Sequence, residues 1–207
     1  MSTPLVVGIG GSTRPRSSTD RALRLALDAA EHAGARVLTF DGLALSRLPL
    51  FRPEVSERPP LVVELVSAVR QADGVILATP SYHGGVSGTV KNALDYLEDL
   101  RQDWRPYLDG RAVGCIVTAA GWQAAGTTLT SLRAVIHALR GWPTPLGAAL
   151  NTAEVPFDGP SADPKGAAQL AEVGRQVVAF CQQRGFAPEP ALSGSSTGIS
   201  ATDMGRR

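Results

Sequence analysis

Residues 5–20 read LVVGIGGSTRPRSSTD, and this stretch indicates the class of fold. Leu5–Ile9 is a short apolar run typical of a buried strand, Gly10 and Gly11 begin a loop of small polar residues, and a segment of helical spacing follows. A strand that leads through a glycine-rich loop into a helix is the first half of a βαβ unit. The beginning of the chain therefore predicts an α/β fold.

The same strand-to-helix pattern recurs along the rest of the chain. Further β-rich apolar runs occupy residues 36–40, 75–79, 113–118 and 146–150, and each is followed by a segment with apolar residues at i, i+3/i+4 and i+7. Strands that alternate with helices predict a parallel sheet covered on both faces. With right-handed crossovers we expect a flavodoxin-like three-layer sandwich, with a five-stranded parallel sheet of order 2-1-3-4-5.

The length of the chain sets the expected domain organisation. A chain of 207 residues has room for one α/β domain with a full core, whereas two domains would be cramped. We expect residues 1–186 to form this domain. Residues 187–207 are rich in Gly, Ser and Thr, and we expect them to form a flexible C-terminal tail.

Composition excludes several classes of partner and cofactor. The net charge of +1 argues against nucleic acid or an anionic membrane as an obligate partner, because both favour strongly basic surfaces. Cys115 and Cys181 lie in apolar stretches and cannot form a CxxC motif, and no His/Asp/Glu cluster has ligand spacing, so we expect no metal site. With no disulfide framework, secretion signal or apolar run of ~18 residues, a cytoplasmic protein is expected.

Three loops of the expected sheet are candidates for a ligand site. In a sheet of this order, ligands bind beyond the carboxyl ends of the strands, where the strand order reverses around strands 1 and 3. The loops at that edge are Gly10–Thr19, Pro80–Ser87 and Ala119–Gly126, and all three are rich in glycine and small polar residues. We therefore expect the site where these loops meet.

The first of these loops has the composition of a phosphate site. Hydroxyls at Ser12, Ser17, Ser18 and Thr19, together with the Arg14 cation, precede a helix whose first N–H groups are unpaired. The alternative is that Ser17-x-x-Asp20 is only a capping box, although a cap and a phosphate site use the same end of a helix. Thr13 replaces the last glycine of a dinucleotide fingerprint, and no lysine completes a Walker A motif.

The second loop is suited to a flat heteroaromatic ring. Pro80 directs the chain out of the strand, Gly84 and Gly85 let the backbone face a ligand, and Tyr82 and His83 supply flat faces with polar edges. For His83, ring contact and simple solvation remain equally open. Nearby polar residues early in the following helix are interpreted as tying down its start; these are Lys91, Asn92 and Asp95.

Together the two loops resemble the NADPH-dependent FMN reductase family. That family has Gly-Ser-x-Arg-x-x-Ser in the first loop and Pro-x-Tyr-x-Gly, then Leu-Lys-Asn-Ala-Ile-Asp, in the second. The corresponding segments of this chain are Gly11–Ser17, Pro80–Gly84 and Val90–Asp95. Leu48-Pro49-Leu50-Phe51 is also similar to the family's loop after strand 2.

The resemblance implies a cofactor, a set of binding residues and a reaction. The FMN phosphate would contact Ser12, Arg14, Ser17 and Thr19, with Ser18 equally near, and the isoalloxazine would lie against the second and third loops at Pro80, Ser81, Tyr82, His83, Gly84, Gly85 and Gly121. NADPH or NADH would transfer hydride to flavin N5, and a second small-molecule electron acceptor would then be reduced. No catalytic side chain is implied. The resemblance also implies that the protein forms a homodimer or a dimer of dimers.

The third loop departs from the family pattern, and several alternatives stay open. Where members often have Gly-Gly, this chain has Ala119-Ala120-Gly121-Trp122; Trp122 could stack on flavin or nicotinamide, or pack at a subunit contact. The alkanesulfonate-type flavin reductases, which hold flavin loosely, have a tyrosine early in the fourth helix. This chain has no tyrosine after Tyr107, and the comparison favours FMN as a resident prosthetic group. The alternative functions are a quinone, azo or metal-oxyanion reductase on the same site, or a non-enzymatic electron carrier.

Overall fold

Five parallel strands form the central sheet of the computed structural model, which describes residues 3–154 and 164–184. They are β1 (Leu5–Gly10), β2 (Arg36–Phe40), β3 (Gly74–Tyr82), β5 (Ala112–Ala119) and β6 (Trp142–Asn151), with β4 introduced below. Their order across the sheet is β2-β1-β3-β5-β6, all in parallel pairs. This confirms the predicted order 2-1-3-4-5 for the parallel strands. The expected tail at residues 187–207 lies outside the described residues.

A sixth strand, β4 (Gly85–Val86), corrects the predicted count of five. It pairs antiparallel with the end of β3, with Tyr82 opposite Gly85. The two residues between them, His83 and Gly84, have φ values of 53° and 77°. Positive φ at both central positions is the signature of a type I′ turn, whose twist matches that of the paired strands. The second candidate loop is therefore a tight hairpin.

Six α-helices cover the sheet in the described part of the chain. They are α1 (Ser18–His32), α2 (Gly42–Leu45), α3 (Pro60–Gln71), α4 (Gly88–Asp95, continued by a 3-10 helix at Tyr96–Leu100), α5 (Trp122–Ala138) and α6 (Pro164–Arg184). Within these residues, no helix combines the length and the apolar character needed to cross a membrane.

The two faces of the sheet carry separate hydrophobic cores. Alternate residues of a strand point to opposite faces, so Val7 belongs to the core that the sheet forms with α3, α4 and α5, while Val6 belongs to the core that it forms with α1 and α6. The same division holds for Leu77 and Ile76 on β3. Helices on both faces confirm the expected three-layer arrangement.

Helix α6 packs directly over two glycines of the sheet. A Cβ added at Gly74 would come within 2.5 Å of Val177 Cγ1, and one at Gly114 within 2.6 Å of Val173 Cγ1. The helix supplies the apolar side chains that these two strand positions lack. In this part of the core, α6 therefore contributes the packing that a strand residue ordinarily provides.

A buried arginine closes the opposite edge of the sheet, away from the candidate loops. The Arg111 guanidinium donates to the carbonyl oxygens of Ala72 (3.0 Å), Tyr107 (3.1 Å) and Arg70 (2.7 Å). Burial lowers the pKa of Arg111 to about 10, so the group stays charged at neutral pH. It fixes the segments that enter β3 and β5 to one another.

Candidate functional site

The loops after β1, β3 and β5 are neighbours at the carboxyl edge of the sheet. Gly10 at the end of β1 is opposite Ala78 on β3, and Pro80 on β3 is opposite Thr118 on β5. Because these strands are parallel and adjacent, the loops that follow them emerge side by side, as the sequence predicts.

The Gly10-Gly11 turn brings the first loop close to the backbone of β3. Both glycines have positive φ, 148° and 116°, a region that favours glycine, and the Gly11 amide donates to the carbonyl oxygen of Ala78 at 3.0 Å. A Cβ at Gly10 would clash with that carbonyl, and one at Gly11 would clash with the Asp20 carboxylate. These glycines therefore serve the close approach of the loop to the protein itself.

Ser17 caps α1, as the alternative interpretation of the first loop states. Its hydroxyl oxygen accepts from the Asp20 amide at 3.1 Å, and its proton goes to Asp20 Oδ2 at 2.6 Å. The other oxygen of Asp20 accepts from the amide of Gly42 at 3.4 Å, which connects the loop to α2. Since a serine hydroxyl has one proton, Ser17 is fully used as a donor by its cap.

Other hydrogen-bond donors in the first loop have no acceptor in the described part of the chain. The buried hydroxyl oxygen of Ser12 accepts from the Arg14 amide at 3.3 Å, but its proton has no acceptor among the residues that the structure describes. The amides of Ser18 and Thr19 precede the first hydrogen bond of the helix, which runs from Arg21 to Ser17. The Arg14 side chain is exposed. The loop thus presents unpaired donors at the positive end of a helix.

The Thr19 hydroxyl contacts a residue that sequence reasoning missed. Its Oγ1 lies 2.6 Å from Oγ1 of Thr118 on β5, and both side chains are buried. Thr118 gives no signal in the sequence because it lies at the end of an apolar strand, 99 positions from its partner. Only the strand order brings the two together.

Pro80 lies inside β3, where the sequence predicted the exit from the strand. Proline has no N–H to donate and is ordinarily excluded from central strands. The backbone carbonyl of Ala78 points towards the side of β3 on which β1 lies. The backbone groups of Pro80, two positions later, point to the same side, but β1 has already ended there. The missing N–H of Pro80 therefore leaves no carbonyl of a neighbouring strand without its donor.

Ser81 braces the hairpin against α5. Its hydroxyl oxygen lies 2.7 Å from Thr128 Oγ1 and donates to the carbonyl oxygen of Ala124 at 3.3 Å. Thr79 and Ser87 secure the other side, because the Ser87 amide donates to Thr79 Oγ1 at 3.0 Å. The hairpin is held by side-chain bonds at its base, and Ser81 serves this bracing through its hydroxyl.

The tip of the hairpin is open to solvent. Tyr82 is 52% exposed and His83 is also exposed. No described atom lies within 4 Å of a Cβ placed at Gly84, and only the Tyr82 carbonyl, at 3.8 Å, lies near one at Gly85. The four residues thus combine two flat side chains with uncovered backbone.

The third loop is shorter than the sequence predicted, because α5 begins at Trp122. Gly121 is the residue before the helix, with an extended backbone and no described atom within 4 Å of an added Cβ. The Trp122 indole N–H donates to Glu154 Oε2 at 2.8 Å. The tryptophan therefore contacts the segment that follows β6.

Asn92 on α4 anchors the loop after α2, whereas the start of α4 itself, which Asn92 is expected from the sequence to tie down, is capped by Ser87. Its Oδ1 accepts from the Phe51 amide and its Nδ2 donates to the Pro49 carbonyl, both at 2.8 Å, and the Tyr96 hydroxyl donates to the same carbonyl at 3.0 Å. Leu50, between the two anchored residues, is 81% exposed. The loop thus presents a fixed apolar side chain to solvent.

Both cysteine thiols of the chain are buried within the hydrophobic core. Burial raises the pKa of both Cys115 and Cys181 to about 12, so both thiols are protonated and inert at neutral pH. In the same residues, no three His, Cys, Asp or Glu side chains lie close enough together to hold a metal ion.

The sequence of the chain matches a known protein family. The family model described as NADPH-dependent FMN reductase matches residues 4–154, which include all three loops. The chain belongs to this family. Membership confirms the resemblance carried by the first two loops, and the family's description agrees with the expected FMN, NADPH and reductase activity.

Two curated relatives of this family member are named as reductases. An NADPH azoreductase of Bacillus sp. (strain OY1-2) is 38% identical over 93 residues, 44% of this chain and 49% of the relative. The quinone reductase of Escherichia coli (strain K12) is 38% identical over 60 residues, 28% of this chain and 32% of the relative. The chain thus spans half or less of the length of these curated relatives.

A solved structure supports the fold over a longer span. A flavoenzyme NAD(P)H:(acceptor) oxidoreductase from Paracoccus denitrificans superposes with a TM-score of 0.70 at 22% identity, covering 89% of this chain and all of the other. At this identity the likeness shows the fold alone, and the fold is the flavodoxin-like one expected from the sequence.

Proposed function

We propose that this protein is an NAD(P)H-dependent oxidoreductase that holds FMN and reduces a small-molecule acceptor. The observation that carries the proposal is the set of unpaired donors at the start of α1, next to an open hairpin with two flat side chains. The donors at the start of α1 suit an anion, and the hairpin suits a planar ring. The two lie at the ends of neighbouring strands, β1 and β3.

The first loop has the donor set that a phosphate dianion requires. The Ser12 hydroxyl and the amides of Ser18 and Thr19 lack acceptors within the described chain, and the Ser18 and Thr19 hydroxyls are further donors. Arg14 supplies an exposed cation that can pair with the anion. Ser17 contributes by fixing the start of the helix, since its own proton is bound to Asp20.

The hairpin has the shape that the flat end of FMN requires. A type I′ turn is rigid, and its two central residues are not part of the strand pairing, so the amides of His83 and Gly84 remain available to the polar edge of a ring. Tyr82 and His83 offer flat surfaces, Pro80 and Gly85 border the same loop, and Gly121 leaves room on the third loop.

The role of the protein in this reaction is binding and orientation. When bound, FMN supplies the redox chemistry, taking hydride from NAD(P)H and reducing an acceptor. The first loop fixes the phosphate end, and the braced hairpin fixes the ring end. No side chain has to act as an acid or base in the hydride step, so none is assigned that role.

The relatives favour azo compounds and quinones as acceptors to examine first, because the curated relatives named above are an azoreductase and a quinone reductase. The electron-carrier alternative has weaker support. Carriers commonly bear a strongly charged docking surface, whereas this chain has a net charge of only +1.

The proposal extends to assembly and location. Leu50 and Leu43 are 81% and 63% exposed, and Leu50 is held in place by its anchored neighbours; exposed leucines of this kind support a homodimer. Light scattering coupled to gel filtration gives the molar mass, and a monomer would contradict the dimer. NAD(P)H as donor agrees with a cytoplasmic protein.

FMN binding and turnover test the proposal directly. Purified protein is titrated with FMN while flavin fluorescence is recorded, and saturation at one FMN per chain is expected. Anaerobic addition of NADPH, and separately of NADH, should bleach the flavin absorbance, and an azo dye, a quinone and free FMN are then compared as acceptors. Failure to bind FMN overturns the proposal. Binding and bleaching without turnover of any acceptor favours the carrier.

A further inference from the structure

We propose that Thr118 is a positioning residue for the cofactor phosphate, acting through Thr19. By donating its hydroxyl proton to Thr19 Oγ1, it leaves the Thr19 proton available to the phosphate. This inference rests on the proposed function, and it assigns a task to a residue from the third strand of the site rather than from the phosphate loop.

The geometry joins two elements that the sequence keeps far apart. Thr19 is the second residue of α1, and Thr118 is the penultimate residue of β5. Their hydroxyl oxygens are 2.6 Å apart, and the side chains are only 2% and 5% exposed. A hydrogen bond this short and this well buried fixes the rotamers of both residues, and with them the direction in which each hydroxyl can point.

The number of protons shows that the pair is incomplete on its own. Two hydroxyls carry two protons, and the bond between them uses one. In the described part of the chain neither hydroxyl has another hydrogen-bond partner. One buried O–H is therefore left without an acceptor, which costs free energy unless a ligand accepts from it.

The position of the pair decides which proton an anion would take. Thr19 lies in the first turn of α1, beside the unpaired amides of residues 18 and 19 and the positive end of the helix dipole. If Thr118 donates to Thr19, the Thr19 proton is available to the anion and every donor is paired. The opposite direction would present oxygen lone pairs to the anion. A bound phosphate therefore selects the direction from Thr118 to Thr19.

The competing explanation is that the pair only ties β5 to α1. The two explanations differ in their dependence on the phosphate, because riboflavin has the same ring as FMN but no phosphate. A purely structural tie affects the binding of both flavins alike. A positioning role affects FMN and leaves riboflavin unchanged.

The test compares the two flavins on matched variants. Thr118→Val keeps the shape of the side chain and removes the donor, and we expect it to weaken FMN binding roughly five- to twentyfold while the dissociation constant for riboflavin stays unchanged. Thr118→Ser restores the donor and should recover most of the FMN affinity. The control is Thr144→Val on β6, which removes a buried threonine hydroxyl bonded to the Leu146 carbonyl at 2.8 Å. It should change neither affinity.

A double variant tests whether Thr118 acts through Thr19. We expect Thr19→Val alone and Thr19→Val with Thr118→Val to bind FMN equally weakly. Additive losses, an equal loss for riboflavin, or an unchanged FMN affinity in Thr118→Val would each overturn the inference. Wild-type protein that binds no FMN would overturn the proposed function as well. The two failures are therefore distinguishable.

Discussion

Each hydroxyl around the start of α1 has one proton to give, and its neighbours decide what that residue can do. Ser17 gives its proton to Asp20 and is a cap, whereas Ser12 accepts from an amide and keeps its proton for another partner. Sequence reasoning treats the two as equivalent, because both are small hydroxyl residues in one loop. Their difference depends on the Asp20 rotamer and on contacts across the sheet, which no local pattern encodes.

Removing the Arg14 side chain should weaken FMN binding without unfolding the protein. Arg14 is exposed, and the proposed charge-assisted bond to the phosphate predicts that Arg14→Ala loses about 1.5 kcal/mol or more, roughly tenfold in affinity. Fluorescence titration measures the loss. Arg24→Ala, an exposed position further along α1, makes the same change in net charge, and an equal effect there would show that only general attraction is involved.

Replacing Asn92 should destabilise the protein through the loop that it anchors. Asn92→Leu preserves size but leaves the Phe51 amide without its acceptor, and we expect a loss of about 2 kcal/mol in the free energy of unfolding. Urea denaturation measures it. Tyr96→Phe is the milder comparison, because the Pro49 carbonyl keeps its bond from Asn92. Equal losses in the two variants would contradict the anchoring role.

At the scale of elements, periodicity predicts long strands and helices well and short ones poorly. The apolar runs locate all five parallel strands, since each buried strand needs several consecutive apolar residues. The strand β4 has two residues and α2 has four, too few for either period to appear. The sequence predicts too short a β3 because proline ordinarily ends a strand, and Pro80 is tolerated only because the neighbouring strand β1 has already ended.

The crossing of α1 and α6 depends on a single glycine. A Cβ at Gly174 of α6 would clash with the carbonyl oxygen of Ala26 on α1 and lie 3.1 Å from the Ala30 amide. Because helix backbone cannot move aside cheaply, Gly174→Ala should lose about 1–3 kcal/mol of stability. Thermal or urea unfolding measures this loss.

The same substitution on α5 provides the matched control. No described atom lies within 4 Å of a Cβ at Gly126, which is an exposed helical position. Alanine is the better helix former, so Gly126→Ala should gain about 0.5–1 kcal/mol. Effects of the same sign at the two positions would mean that helix crossing is not what Gly174 provides.

At the scale of the whole molecule, the two edges of the sheet have different tasks. The amino-terminal edge is closed by Arg111 and its carbonyl partners, while the carboxyl edge keeps unpaired donors at the start of α1. Topology predicts from sequence that the site lies at the carboxyl edge, because parallel strands place their following loops together. The contacts across that edge, such as Thr19 with Thr118, require the coordinates.

The two cysteine thiols should be unreactive in the folded protein. Burial raises the pKa of Cys115 and Cys181 from 9.0 to about 12, so an aromatic disulfide reagent at pH 8 should label neither. Both should react once the protein is unfolded in guanidinium. A rapidly labelled thiol in the native protein would contradict the packing around it.

The same pKa values predict how stability changes in alkali. The folded pKa is raised, so the contribution of the neutral thiols is fully present below about pH 9 and is lost as the pH rises towards 12. Relative to a variant with Cys115→Ala and Cys181→Ala, the wild-type free energy of unfolding should fall across this interval. A difference that is constant with pH would contradict the prediction.

The packing of α6 over the glycines of β3 and β5 also determines which residues a stable domain must include. The family match ends at residue 154, whereas the side chains that fill the space above Gly74 and Gly114 come from residues 173–181. A polypeptide trimmed at the matched boundary would leave a furrow along two central strands, open to water. Helix α6 is therefore an internal part of this domain, and trimming it would favour aggregation over folding.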